Sequence, residues 1–321
     1  MPTAAAGRQR EFAKSVRLGC LVLEWKGGKG TGGREVTPRD TSQQDGLGRA
    51  ALCRLIEQEE PPTSRLFTDP VVGRLLDPMT VSLAAGPMRG LFLSDMGSGT
   101  FGAQVMRTRY IDDVVTGFVE GGTTQVVILG AGLDTRAYRL PVLAGASVLE
   151  LDLPATQHYK VERLRGVPVL ASGLRYIPTD FTAESLRDVL GAAGLDRANP
   201  VLFIWEGVTQ YLPEAAVRAT LACIGSSVPG SALVFTYLGR GVVDGSGWGS
   251  SDGQRQRLSA SEPWVFGLEP GEVPGLLDSY GLSLIDDVGE AEFRARYAEP
   301  LGRRVELNDV EHVALAVVRA A

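Results

Sequence analysis

The stretch that most limits how this chain can fold is Gln125 to Leu140, Gln-Val-Val-Ile-Leu-Gly-Ala-Gly-Leu-Asp-Thr-Arg-Ala-Tyr-Arg-Leu. It opens with an uncharged, β-branched run, Val126-Val127-Ile128-Leu129, of the kind that a strand buried on both faces requires. The run ends in Gly130-Ala131-Gly132, and a helix start follows at Asp134-Thr135. Strand, glycine turn and helix N-terminus together form a nucleotide cradle. Glycine lets backbone approach a ligand closely, and free N–H groups at the helix start face it. A dinucleotide fingerprint needs a third glycine three residues after the second. Thr135 holds that position here, so the dehydrogenase pattern is broken. S-adenosylmethionine has no pyrophosphate and needs only the tight turn. Gly-x-Gly alone is a weak signal, because many α/β proteins carry such a turn.

The next elements narrow the choice. Ser147-Val148-Leu149-Glu150-Leu151-Asp152 reads as a second strand ending in an acidic residue. Asp152 falls about 20 residues after the glycine turn, where a carboxylate accepts both ribose hydroxyls of an adenosine ligand. Thr179-Asp180-Phe181 follows a third strand, and Trp205-Glu206-Gly207 a fourth. In an open parallel sheet, ligands bind at the carboxyl ends of the strands. Each carboxylate also has a plain structural reading as a helix N-cap, and Asp134 fits that reading best.

Three segments, Leu129-Gly130-Ala131-Gly132-Leu133-Asp134-Thr135-Arg136, Glu150-Leu151-Asp152-Leu153-Pro154 and Glu206-Gly207-Val208-Thr209-Gln210-Tyr211-Leu212, resemble the leucine carboxyl methyltransferase family, as does Arg107-Thr108-Arg109-Tyr110-Ile111-Asp112-Asp113. The resemblance runs from about Asp45 to the C-terminus and points to the bacterial branch of polyketide and other small-acid O-methyltransferases. It implies a Rossmann-like class I methyltransferase fold. That fold has a mostly parallel seven-stranded sheet with an antiparallel last strand, an N-terminal helical cap and, here, an insertion between strands five and six. It implies S-adenosyl-L-methionine as cofactor. By resemblance, Arg109 grips the carboxylate of the cofactor's methionine part, and Arg107 is the second candidate. Gly130, Ala131 and Gly132 pass along the methionine moiety, Asp152 and Leu153 hold the ribose, and Asp180 and Phe181 frame the adenine. Glu206 lies near the cofactor's ammonium or methyl group, and Tyr211 touches the acceptor. Glu206 and Tyr211 are the catalytic candidates.

Around the core, alternating strands and helices imply parallel pairing with right-handed crossovers. Strands are expected near 125–130, 147–152, 174–178 and 200–205, then at 231–238, 281–288 and 312–319. Crossover helices are expected near 134–140, 154–165, 182–192 and 213–226, and a helix near 103–120 precedes them. Residues 1–40 read as a flexible extension, rich in glycine from Gly27 to Gly33. Residues 41–321 read as one methyltransferase domain, with 41–120 as the cap region and 121–321 as the core. The segment 239–268 is the insertion, and its Trp264 and Phe266 are candidates for contact with a flat apolar substrate or for packing; Trp248 lies in it too.

Charge and cysteine usage exclude other classes. A formal net charge of −6 argues against a nucleic-acid partner. Cys20, Cys53 and Cys223 are scattered, which suggests a reducing, cytoplasmic compartment and no metal site. No apolar run approaches membrane-spanning length. The oligomeric state is not readable.

Methyl transfer needs orientation and a dry site more than acid–base help. A carboxylate acceptor is already ionised at neutral pH, whereas a phenol needs a base. The two histidines, His158 and His312, lie outside the motifs. That favours a small-molecule carboxylic acid. A phenol or hydroxyl acceptor, a protein C-terminal carboxylate and an inactive cofactor-binding module remain alternatives. An NAD(P) oxidoreductase would need the missing glycine and a Tyr-x-x-x-Lys pair that does not follow the fourth strand.

Overall fold

In a computed structural model of the protein, the apolar runs pair into a seven-stranded sheet of order β3-β2-β1-β4-β5-β7-β6. The structure describes residues 38–84, 86, 89–90, 93, 99–246 and 264–320, without the side chains of 38–47. Most of the expected 1–40 extension, and Trp248 of the insertion, lie outside the described residues. The strands are β1 (Gln125–Leu129), β2 (Ser147–Asp152), β3 (Gly173–Pro178), β4 (Leu202–Trp205), β5 (Ala232–Leu238), β6 (Leu282–Val288) and β7 (Glu311–Val318). The first five pair in parallel, with Val127 opposite both Leu149 and Phe203. β7 runs antiparallel between β5 and β6. The sequence order reverses between β1 and β4, and that switch point opens a crevice at the strands' carboxyl ends.

Side-chain alternation splits the core into two layers. Val126, Ile128, Val148, Ile204 and Val234 face one side, under α1 (Pro38–Glu57) and α3 (Thr100–Glu120). α2 (Pro78–Ala84) lies between these helices in the chain. Val127, Leu129, Leu151, Phe203, Trp205 and Phe235 face the other side, under α6 (Leu186–Ala192), α7 (Glu214–Gly225) and α9 (Val273–Asp278). β1 and β4 are therefore apolar on both faces, as buried parallel strands must be.

The crossovers are shorter than periodicity suggests. After β1, α4 is one turn, Arg136–Arg139, because Pro141 restarts the chain as a 3₁₀ turn to Gly145. α5 (Pro154–Arg163) starts on its proline, which needs no N–H partner at that position. The helix expected from 182 begins only at Leu186, because the Thr182 N–H and hydroxyl donate to Asp180 Oδ1 and hold a turn instead. Beyond β5 the chain forms α8 (Arg240–Asp244) and returns to the sheet at Leu268, whose backbone bridges Gly239. α10 (Glu290–Phe293) opens the connection from β6 to β7.

Candidate functional site

The glycine turn is stitched to the end of β2. The Gly130 and Ala131 N–H groups both donate to the Leu151 carbonyl, at 2.8 and 3.0 Å. Gly130 has φ +68° and Gly132 +47°, and a Cβ at Gly130 would sit 2.4 Å from Val208 Cγ2. Only glycine therefore fits here, with Val208 from the loop after β4 packed directly on its backbone at the carboxyl ends of β1 and β4.

Asp152 closes the next side. Its Oδ2 accepts the Gly132 N–H and its Oδ1 the Leu153 N–H, both at 2.6 Å. Burial pushes the Asp152 carboxyl up, and those two N–H groups pull it back. Each oxygen has a second lone pair for a further donor, so the carboxylate suits a pair of ribose hydroxyls. The Asp152 carbonyl accepts the Thr179 N–H at 2.8 Å, which sets Asp180 and Phe181 beside it. Phe181 is half-buried against the core layer that holds Val127 and Leu129. Gly130, Ala131, Gly132, Asp152, Leu153, Asp180 and Phe181 thus share one edge of the sheet.

Glu206 follows β4 directly and is gripped from two sides. Its carboxylate accepts Arg107 Nε at 2.9 Å and Arg136 Nη1 at 2.7 Å. Burial alone would raise this carboxyl, but Arg136 and Arg107 outweigh it and hold it well below the usual range. A carboxylate so held does not accept a proton at neutral pH. The loop after it hangs from β5, where the Gly207 N–H donates to Thr236 Oγ1 at 2.8 Å and the Thr209 hydroxyl donates to the Thr236 carbonyl at 2.7 Å. That loop carries half-buried Tyr211 in the 3₁₀ turn Thr209–Tyr211.

The structure does not bring Arg109 to this edge. Residues 107 and 109 lie about 200° apart around a helix, so only one of them can face the sheet. Arg107 does, buried and paired with Glu206 and Glu311. Arg109 instead donates to Asp113 at 2.8 Å and to the Leu66 carbonyl at 2.7 Å, with its side chain 40% exposed. The signal was helix phase: Arg107 shares its face with Ile111, four residues on, while Arg109 shares its face with Asp113.

Sequence reasoning also missed a buried ionic chain behind the site. It runs from Arg54 on α1 to Asp69 at 3.1 Å, with Arg139 at 3.6 Å from the same carboxylate. Arg139 pairs with Asp112 at 2.6 Å, and Asp112 with Arg136 at 2.8 Å. Arg136 reaches Asp134 and Glu206, and Arg107 carries the chain on to Glu311 at 2.5 Å. Asp134 also accepts the Arg136 N–H at 2.6 Å, in keeping with a structural role. Buried charges of this kind persist only when each is paired.

Neither histidine reaches the crevice. His158 is exposed on α5. His312 stacks on Tyr237 with ring centroids 5.4 Å apart and lies 3.3 Å from Asp309 and 3.6 Å from Asp287. Phe266 is buried in the core layer that holds Val127 and Leu129, so it packs rather than waits for substrate. Trp264 is half-buried next to the Gln210 turn, to which the Val265 N–H donates at 2.8 Å. Among the described residues no His, Cys, Asp and Glu cluster could hold a metal, and no helix is long and apolar enough to cross a membrane.

The chain is similar in sequence and in fold to known proteins. Residues 48–225 match the profile of the family described as leucine carboxyl methyltransferase. A Mycolicibacterium vanbaalenii protein, provisionally named an S-adenosyl-L-methionine-dependent methyltransferase, is 34% identical over 257 residues, 74% of this chain and 81% of its own. A Streptomyces coelicolor protein with the same provisional name is 36% identical over 178 residues, 55% of this chain and 61% of its own. The chain thus spans about three-fifths of the length of that relative, and of a Frankia alni relative of which it covers 60%. In structure it resembles a provisionally named methyltransferase from Thermobifida fusca, with TM-score 0.52 and 15% identity over 83% of this chain and 97% of that one. A DUF574-family protein from Streptomyces avermitilis gives the same TM-score of 0.52 at 14% identity, again over 83% and 97%. These two structures share the fold. The sequence matches go further: the chain belongs to the leucine carboxyl methyltransferase family.

Proposed function

We propose that this protein is an S-adenosyl-L-methionine-dependent O-methyltransferase that esterifies a carboxylate of a small molecule of the secondary-metabolite type. The cofactor supplies an activated methyl group for in-line displacement when bound. Asp152 is the ribose acceptor in this reading, with Gly130, Ala131, Gly132 and Leu153 as the backbone wall and Asp180 and Phe181 as the adenine frame. Arg107 takes the place first expected of Arg109. Tyr211 lies on the acceptor side and orients the incoming carboxylate.

One observation carries the choice of acceptor. Both oxygens of Glu206 are committed to guanidinium groups. The carboxyl at the end of β4 is therefore not the base that a phenol would need, and a carboxylate acceptor needs none. The wide spacing of Cys20, Cys53 and Cys223 along the chain supports a reducing, cytoplasmic setting.

Calorimetric titration with S-adenosylhomocysteine tests the cofactor. Wild type should bind, Asp152→Ala should bind roughly 10- to 100-fold more weakly, and NADH should not bind. Radiolabelled methyl transfer to a panel of carboxylic acids and phenols tests the acceptor. Methyl esters release the label as methanol in mild base, and base-stable label on a phenol would overturn the carboxylate reading.

A further inference from the structure

Directly behind Asp152 lies a second buried charge pair with no part in the site described above. Strand alternation puts Glu150 and Asp152 on the same face of β2. α5 returns over that face with Gln157 and Lys160, three residues apart, both pointing inward. Gln157 Nε2 donates to the Glu150 carbonyl at 2.8 Å and to the Ile177 carbonyl at 3.1 Å, which fixes the helix on the strands. Lys160 Nζ donates to Glu150 Oε2 at 2.5 Å, and both side chains are 1% exposed. The Lys160 ammonium also lies 6.0 Å from the centre of the Tyr176 ring, whose hydroxyl bonds that of Tyr138.

A buried ion pair is weak evidence for stability, because desolvation commonly exceeds the Coulomb gain. Glu150 Oε1 is buried and has no hydrogen-bond partner, so this pair is not even fully satisfied. Its location suggests another reason for it. Asp152 is a half-buried carboxylate that must stay charged to accept ligand hydroxyls, and its partial burial opposes that charge.

We propose that Lys160 and Glu150 are a positioning pair for Asp152, in which the Lys160 ammonium stabilises the Asp152 carboxylate and Glu150 anchors that ammonium beneath the end of β2. The proposal rests on the reading of Asp152 as the nucleoside-binding carboxylate. Among the described residues, the charged and titratable groups that act on the pair come from four neighbouring elements. The turn after β1 contributes Asp134, α4 contributes Tyr138, β3 contributes Tyr176, and α5 adds the Thr156 hydroxyl beside Asp152. Lys160 favours the charged form of both Asp152 and Asp134, and Asp152 and Asp134 in turn disfavour that of Glu150. Glu150 itself is pushed up to about 7, by burial first, with Lys160 acting against it.

The two substitutions therefore separate the two residues. Lys160→Met removes the cation, so Asp152 should be lost to protons at a higher pH. Glu150 is pushed up to about 7 and already carries its proton where Asp152 gains one, so Glu150→Gln leaves the charges there unchanged. The test is calorimetric titration of the full chain with S-adenosylhomocysteine from about pH 4 to pH 9. The expected result is an acid limb of affinity displaced upward by roughly half a pH unit or more in Lys160→Met and unmoved in Glu150→Gln. Lys160→Arg should restore the wild-type limb. Equal weakening of Lys160→Met at every pH, with an unmoved acid limb, would mean a merely structural pair and overturn the proposal. If Lys160→Met does not fold, Lys160→Gln takes its place, and an unmoved limb in it is equally fatal. Wild type that fails to bind S-adenosylhomocysteine removes the cofactor reading and this proposal together, an outcome distinct from the others.

Discussion

Glu206 loses stabilising contacts in acid and His312 loses them in base, because each is held in its charged form. Glu206 titrates lower in the folded state than its ordinary value of 4.5. Its contribution is therefore complete above about pH 4.5 and is lost as the pH falls toward the folded value. Glu206→Gln should cost ~3–5 kcal/mol at pH 7, because two buried guanidinium groups lose a charged partner. It should also flatten the stability profile below pH 4.5, and guanidinium unfolding at a series of pH values checks both. His312 is raised from its ordinary 6.5: burial works against its charge, but Asp287 and Asp309 prevail. Its contribution is complete below about pH 6.5 and disappears as the pH rises through the folded value. His312→Gln should remove that alkaline decline in the same unfolding series. Residues were legible where chemistry alone selects them, as with Asp152 at a strand end and Gly130 in a tight turn. They were not legible where helix phase decides, as with Arg107 against Arg109, or where partners lie far apart in the chain, as with Glu206 and Glu311.

At the scale of elements, the strands were the most readable part, because a run such as Val126 to Leu129 buried on both faces tolerates no charge. Strand ends fell within a residue or two of the expected positions. Crossovers were less readable, since Pro141 and the Asp180–Thr182 turn cut helices that apolar spacing alone would extend. Placement of β7 between β5 and β6 depends on pairing partners that no local pattern announces. The turn from β1 to α4 yields a sharp test. Gly130→Ala must hold a Cβ at a φ of +68° and 2.4 Å from Val208 Cγ2. The backbone term alone should cost about 1–3 kcal/mol. Adding Val208→Ala should relieve the contact and leave the backbone term, so the double variant should regain part of the lost melting temperature.

Across the whole molecule, charge pairing ties distant parts of the chain together. The ionic chain from Arg54 to Glu311 joins α1, α3, the glycine turn, the end of β4 and β7. A second tie secures the connection between β6 and β7, where Arg303 makes two contacts of 2.6 Å with the fully buried Glu57 of α1. Arg303→Met strands that carboxylate and should cost ~3–5 kcal/mol, measurable by denaturant unfolding. Close by, a Cβ at Gly102 would meet the Glu306 carbonyl oxygen at 2.1 Å, so the connection lies backbone to backbone on α3. The position of β7 has a consequence for how the protein is made. β6 leaves the ribosome before β7 does, and its neighbour in the finished sheet is β7 rather than β5. At synthesis rates of about 5–20 residues per second, β5 and β6 wait some seconds with open edges before the strand that joins them emerges. During that interval, pairing of β5 with β6 is the error that their open edges invite, and only the arrival of β7 removes it.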